Sequence, residues 1–170
     1  MGKKSKILYW SCLVVNLICF ILDMLPLPTN FGFFRISFAL SLMLIGLLLF
    51  ARAVSLKLDS SMFISILLFL VGLLNGVSYF GTAFFGLDIN QLWPYYLFSI
   101  ALASLVTGLY FKHNLQLKLF IFFLGFGLIT LLFVQQVITQ IWLFIVLLIL
   151  WFVAYFVVNI IIAKKRGKNG

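Results

Sequence analysis

The sequence predicts an all-α protein that crosses a membrane six times, and three observations lead to this fold class. Of the 170 residues, 65% are hydrophobic and only 9% are charged, and the mean hydropathy is +1.27. Soluble domains are about 45–50% apolar and about 25% charged. The apolar residues form six continuous runs, each close to the roughly 20 residues that a spanning helix needs. Charged residues lie almost entirely between these runs. The composition therefore excludes a soluble globular domain.

The runs predict the helices in chain order. Hydropathy places the six spans near residues 7–25, 33–54, 62–86, 95–111, 119–136 and 137–163. The first run follows three lysines, as in a signal peptide, but it is long for one and no small-x-small cleavage site follows it, so a retained helix is predicted. The fifth and sixth runs are nearly continuous. Their break is predicted at a polar cluster, Gln135, Gln136, Thr139 and Gln140.

The basic residues predict the orientation of the chain. Eleven of the twelve fall on one side of the predicted membrane, namely Lys3, Lys4, Lys6, Arg52, Lys57, Lys112, Lys118, Lys164, Lys165, Arg166 and Lys168. The other side holds Arg35, with Asp23 and Asp88. The positive-inside rule then predicts cytoplasmic N and C termini. Because the charges flank apolar runs, the net charge of +9 indicates lipid contact and topology rather than nucleic acid as a partner.

A single integral membrane domain is expected to cover residues 1–170, built as three helical hairpins over residues 7–54, 62–111 and 119–163. Two similarities between segments predict an internal repeat. Ile89–Trp93 is similar to Ile138–Trp142, and Ser37–Gly46 has the same Ser-to-Gly spacing as Ser99–Gly108. The repeats are expected to be parallel, related by an axis along the membrane normal.

Residues that carry chemistry are few. The one histidine, His113, lies in an inner loop, where it is expected to be solvated or at lipid headgroups. Cys12 and Cys19 lie in the first helix and are expected to be reduced thiols. No catalytic set or metal-ligand cluster can be assembled from the sequence. The prediction is a protein that is not an enzyme and has no cofactor and no metal.

Asp23 and Arg35 face each other across the first outer turn. Charges within hydrocarbon often mark function, but at the interface the cost of burying them falls. One interpretation is an interfacial ion pair that fixes the hairpin, contributing at most about 1 kcal/mol if exposed. The other interpretation is an outward-facing ligand or proton site.

Polar and small residues inside the spans predict helix packing. Asn16, Asn75 and Asn159 are expected to form hydrogen bonds between helices. The alternative is a solute pocket lined by Asn16, Asn75, Ser78 and Thr107. Gly72 and Gly76 form a small-xxx-small motif that allows another helix to approach closely, either in this chain or in another subunit. The basic tail is expected to contact lipid headgroups through Lys164, Lys165, Arg166 and Lys168.

One segment carries a resemblance to known families. Residues 63–111 contain an apolar helix with Gly72 and Gly76, a turn ending Leu92-Trp93-Pro94, and a return helix with a late Gly108-Leu109. This hairpin resembles the transmembrane region of LiaI/LiaF-type cell-envelope-stress proteins of Gram-positive bacteria. The whole chain is more weakly similar to HdeD-type acid-stress membrane proteins, which also consist of repeated hairpins. No soluble sensory domain of the LiaF type follows the hairpin.

Two classes of function are therefore predicted. The first is a non-enzymatic bacterial cell-membrane protein, an envelope-stress accessory or an immunity-type protein, whose partners are membrane lipids or another membrane protein. The second is a small-solute transporter subunit, such as the substrate-binding membrane subunit of a vitamin importer. Those subunits also have six helices, and the Leu25-Pro26-Leu27-Pro28 turn is similar to theirs. A cavity open to the outer face would favour the second class, and amides bonded within a packed interior would favour the first.

Overall fold

The computed structural model describes residues 3–25, 32–86 and 91–166, and these form six α-helices. In chain order they are α1 Lys3–Met24, α2 Phe33–Leu56, α3 Asp59–Phe85, α4 Pro94–Phe111, α5 Asn114–Val134 and α6 Ile141–Arg166. All six are long and apolar enough to cross a membrane. The predicted all-α fold with six helices of spanning length is confirmed, and the polar cluster does separate α5 from α6.

The helix boundaries differ from the apolar runs at four helix starts. α1 begins four residues earlier, at Lys3, and α6 four residues later, at Ile141. The other two differences are at α3 and α5. These helices begin at Asp59 and Asn114, earlier than residues 62 and 119 where the runs begin. Hydropathy marks only the apolar part of a helix, whereas a polar first turn is equally helical. The carboxylate of Asp59 also suits the first turn of α3, because the helix dipole is positive there.

The same tight turn joins α2 to α3 and α4 to α5. Lys57 and Lys112 adopt the left-handed conformation, with φ of 51° and 54°. The next residues, Leu58 and His113, are extended, and each donates its N–H to a carbonyl near the end of the preceding helix at 3.0 Å. One left-handed residue ends a helix and redirects the chain. The helices of each pair consequently run antiparallel.

Two glycines bring the backbones of α2 and α3 together. A Cβ on Gly46 would lie 2.7 Å from the backbone nitrogen of Phe69, and a Cβ on Gly72 would lie 2.8 Å from the carbonyl oxygen of Ala39. Close approach of this kind is how small residues stabilise helix pairs in membranes. Among the described residues, α2–α3 is the most extensive helix contact and α4–α5 is the second. The pairs α1–α2, α3–α4 and α5–α6, which would form the three predicted hairpins, are also in contact but less extensively.

The α2–α3 and α4–α5 pairs are equivalent in register. Three pairs of corresponding residues are separated by the same 55 positions, namely Met43 and Phe98, Lys57 and Lys112, and Gly72 and Gly127. Met43 lies against Gly72, and Phe98 lies against Gly127. The repeats expected from the sequence paired segments 62 and 49 residues apart, a different register, and residues 89–90 of the second pair lie outside the described residues. Short apolar segments of a membrane protein resemble one another at many offsets. The matching turns and the matching glycine contacts fit only the offset of 55 residues.

The terminal helices lie at the periphery of the described structure. In the most apolar stretch of α6 no residue is buried, and among residues 6–24 of α1 only Cys12 is. Contacts from aromatic side chains hold α6 to α5. The Trp151 ring packs on Gly125, and its Nε1 donates to the carbonyl of Phe122 at 3.3 Å. Much of the apolar surface of α1 and α6 is thus exposed, as expected for helices that face lipid.

Candidate functional site

The two ends of the helix bundle differ in chemistry. One end carries the two tight turns and is called here the Lys57 end. The opposite end, called the Arg35 end, carries the end of α1, the start of α2, the end of α3 and the start of α4. Hydrogen bonds join these four helix ends, including one from the Gly32 N–H to the Tyr79 hydroxyl at 3.0 Å. The polar candidates from the sequence concentrate at this end.

Asp23 caps α2 at the Arg35 end. Its two carboxylate oxygens accept the N–H groups of Phe33 and Phe34 at 2.9 and 2.8 Å. The first N–H groups of a helix have no partner within the helix, and the dipole favours a negative charge there. The predicted ion pair with Arg35 is not formed among the described residues, because Asp23 is directed at the backbone instead.

A cleft of about 250 Å³ lies between α2, α3 and α4 at the Arg35 end. Its lining combines one guanidinium, one amide, three hydroxyls and four aromatic rings, two of which carry a hydroxyl. The residues are Phe34, Arg35, Phe38, Asn75, Ser78, Tyr79 and Tyr96. The rings of Phe34 and Phe38 stack with centroids 5.7 Å apart. The side chain of Arg35 is exposed, so the charged group of the cleft is accessible from outside the protein.

Hydrogen bonds occupy most polar atoms of the cleft. The Asn75 Nδ2 donates to the carbonyl of Val71 at 2.8 Å, and its Oδ1 accepts the Tyr96 hydroxyl at 3.2 Å. The Ser78 hydroxyl donates to the carbonyl of Asn75 at 2.9 Å. The Tyr79 oxygen is an acceptor for the Gly32 N–H, which leaves its own proton available. Among the described residues, the Arg35 guanidinium has no partner.

The four residues predicted to line a pocket separate into three places. Asn75 and Ser78 line the cleft. Asn16 lies between α1 and α2, where its Nδ2 donates to Ser41 Oγ at 2.8 Å and its Oδ1 accepts from Ser37 Oγ at 2.9 Å. Thr107 is fully buried on α4 outside the cleft. Neighbouring helices decide this division, because each of the four lies on an apolar run that has no distinguishing local pattern.

The predicted glycine pair also separates. Gly72 touches the backbone of α2 within this chain, whereas a Cβ on Gly76 would meet only the Ala39 Cβ, at 3.9 Å. Gly76 lines an apolar groove of about 570 Å³ between α2 and α3, together with residues that include Leu40, Met43 and Phe80. The motif therefore supplies one contact residue and one groove residue.

The remaining candidates lie at the Lys57 end or beyond the described residues. His113 is exposed and forms the extended position of the α4–α5 turn. Lys164 is exposed on the last turns of α6. Several other candidates lie outside the described residues, namely Lys168, Asp88, Pro26, Pro28 and the side chains of Lys165 and Arg166. The turn on which the hairpin resemblance rests is described only from residue 91 onward. In the described ranges no group of three or more His, Cys, Asp or Glu side chains could hold a metal ion.

Sequence reasoning missed the two aromatic hydroxyls of the cleft. Tyr79 lies four residues after Asn75, and this spacing places both on one face of a helix. Tyr96 lies on the following helix, and no local pattern in the sequence connects it to Asn75. The Asn75–Tyr79 spacing was the one available signal. No protein-family model, curated protein or solved structure matches this chain.

Proposed function

We propose that this chain is a non-enzymatic multi-pass protein of a bacterial cell membrane, acting as an envelope-stress accessory or an immunity-type protein. In this role it works through contacts with lipids or with another membrane protein. The observation that carries the proposal is that two amide side chains within the spans form hydrogen bonds to neighbouring helices. Asn16 ties α1 to α2, and Asn75 ties α3 to α4. The third amide, Asn159, was expected to bond between helices as well, but it donates to the Tyr155 carbonyl of its own helix at 2.9 Å. Asn16 and Asn75 hold helices together, which supports a packed scaffold over a solute path.

The proposal includes both termini on the cytoplasmic side. Charge supports this orientation, because Arg52, Lys57, Lys112 and Lys118 all belong to the Lys57 end of the bundle. Basic residues in short loops favour the cytoplasmic side. The Arg35 end then faces outward, where a membrane-active peptide or an envelope stress would first meet the protein.

The terminal helices support a partner within the membrane. The most apolar stretch of α6 has no buried residue, and large side chains along it are exposed, including Trp142, which is 77% exposed. Surfaces of this kind fit lipid tails or apolar helices of another protein. They offer little to a soluble partner, because the described connections between helices are short.

The alternative function, a substrate-binding subunit of an importer, has one favourable observation. The cleft at the Arg35 end has the polar lining that a solute site needs. Its volume of about 250 Å³ is below the roughly 300–1,000 Å³ of pockets that enclose drug-sized ligands. The cleft is therefore smaller than a usual ligand pocket, and the scaffold function is the better supported of the two.

Co-purification tests the choice between these functions. The tagged chain is isolated from its native membrane in a gentle detergent, and co-purifying proteins are identified by mass spectrometry. We expect a sensor kinase, an envelope-stress protein or lipid. Recovery of a transporter ATPase pair with its coupling subunit would replace the proposal with the importer function.

Sensitivity to membrane-active peptides tests the physiological role. Deletion of the gene is expected to lower the peptide concentration that stops growth, and the wild-type chain is expected to restore it. The Asp23→Asn variant is a matched control, because it retains a side-chain oxygen that can cap α2 and should restore resistance as well. Equal sensitivity of deleted and complemented cells would contradict the envelope role.

A further inference from the structure

We propose that the cleft at the Arg35 end binds an oxyanion of the phosphate type, held by the guanidinium of Arg35 and the hydroxyl of Tyr79. This assignment goes beyond the proposed function and does not depend on it, since either function could use such a site. It follows from which polar atoms of the cleft are already bonded and which are free.

The free polar atoms of the cleft are chiefly donors. The Asn75 Oδ1 is taken by the Tyr96 hydroxyl, and the Ser78 hydroxyl donates to its own helix. Tyr79 already accepts one hydrogen bond, so its proton can be given to a ligand. Arg35 adds up to five N–H donors in a planar fork. A ligand that accepts several hydrogen bonds is therefore favoured over one that donates them.

The charge of the cleft also favours a ligand of this kind, because it favours an anion. No lining residue is acidic. The nearest predicted counter-charge, Asp23, is occupied by the backbone N–H groups that begin α2. Arg35 therefore forms no ion pair and no hydrogen bond with the described residues, and its guanidinium can bind a ligand directly. Guanidinium groups bind phosphate in a bidentate manner, and such charge-assisted bonds are about twice as strong as neutral ones.

The volume of the cleft and the position of Arg35 at a helix end restrict the class of ligand further. A volume of about 250 Å³ holds a phosphate group with a small substituent. Arg35 is the third residue of α2, so it lies at the end of a membrane span, at the depth of lipid headgroups. The phosphate can therefore belong to a phospholipid headgroup or to a soluble phosphate, and the experiment distinguishes these two sources.

Binding is measured on the full chain in a neutral, phosphate-free detergent, with the melting temperature as the readout. The ligands are inorganic phosphate, a short-chain phosphatidic acid and a diacylglycerol of the same chain length. Phosphatidic acid alone raising the melting temperature would assign a lipid headgroup, and inorganic phosphate raising it as well would assign a soluble anion. An equal rise with diacylglycerol would overturn the proposal, because binding would then need no phosphate.

Variants locate the site. Arg35→Gln should weaken the binding of the active ligand about tenfold or more, since it removes charge-assisted bonds. Arg35→Lys should restore part of that loss, and Tyr79→Phe should weaken binding about threefold. Arg52→Gln is the matched control, an exposed arginine on the same helix at the other end, and should change nothing.

Two results would overturn the assignment. One is full affinity in Arg35→Gln, and the other is an equal loss in Arg52→Gln, which would indicate nonspecific attraction to positive charge. Asp88→Asn removes a carboxylate that the sequence places on the same side of the membrane. It is expected to leave the affinity unchanged or to raise it, and a loss of affinity would contradict an anion site.

Discussion

The α2–α3 and α4–α5 pairs share a scaffold but differ at their Arg35 ends. Both pairs have the same turn and place a glycine 15 residues after its left-handed lysine, Gly72 after Lys57 and Gly127 after Lys112. Beyond the glycine, the polar residues Asn75, Ser78 and Tyr79 of α3 correspond to Thr130, Phe133 and Val134 of α5. The first pair therefore lines a polar cleft, whereas Thr130 bonds only to carbonyls of its own helix. The same helix–turn–helix framework thus occurs twice, and only the first copy carries the polar side chains that line the cleft.

The two pairs also differ in how closely their helices approach. A Cβ on Gly72 would meet backbone atoms of α2, while a Cβ on Gly127 would meet the ring of Phe98 at 3.2 Å. Backbone cannot move without shifting a whole helix, whereas a ring can turn. The first pair is thus the more rigid one, and it is the pair that carries the candidate site.

The largest effect is expected from Gly72→Ala. The added methyl group would overlap the backbone of α2, and we expect a loss of about 3 kcal/mol in the free energy of unfolding. Titration with SDS in mixed micelles measures it. Gly76→Ala is the control and should be close to neutral, because the position is open. Equal losses in the two variants would show that Gly72 does not govern the α2–α3 contact.

A smaller effect is expected from Asn16→Leu, which tests how α1 is held to the first pair. The change removes the bonds from Asn16 to both Ser37 and Ser41, although Ser37 still donates to the carbonyl of Phe34, and we expect a loss of about 1 kcal/mol. A cycle with Ser41→Ala should be non-additive, because the two side chains share one hydrogen bond. Strict additivity would mean that the Asn16–Ser41 bond does not stabilise the protein.

Gly127→Ala tests whether α4 and α5 pack less tightly than α2 and α3. Because the Phe98 ring can give by a few tenths of an ångström, the free energy of unfolding should stay within about 1 kcal/mol of the wild type. The same SDS titration is used for Gly72→Ala and Gly127→Ala. A loss for Gly127→Ala as large as that for Gly72→Ala would make the two pairs equally tight.

The smallest effect is expected at the turns. Lys57→Gly and Lys112→Gly each remove a left-handed residue that has a Cβ, and we expect a gain of about 0.5 kcal/mol for each. Thermal unfolding in detergent measures the two variants side by side. A gain in one and a loss in the other would show that the turns are not equivalent, despite their matching φ angles.

The sequence alone determined the fold class and the number of spans. The free energy of placing a residue in a membrane depends on that residue and its immediate neighbours, so hydropathy finds the spans and the polar cluster finds the break between α5 and α6. Boundaries were less accurate at Asp59 and Asn114, because polar first turns do not contribute to an apolar run. Of the cleft residues, the sequence singled out Arg35, Asn75 and Ser78. It joined Asn75 with Ser78 in one possible pocket but did not join either with Arg35.

Only the tertiary structure decided which residues meet. Asp23 reaches the backbone of α2 rather than Arg35, Gly72 rather than Gly76 forms the close contact, and Asn75 finds Tyr96 on the next helix. The physical reason is that these choices depend on how helices are rotated and how far they slide past one another. Apolar side chains pack in many such arrangements, and the one adopted here is selected by two tight turns and the few small residues that let backbones touch.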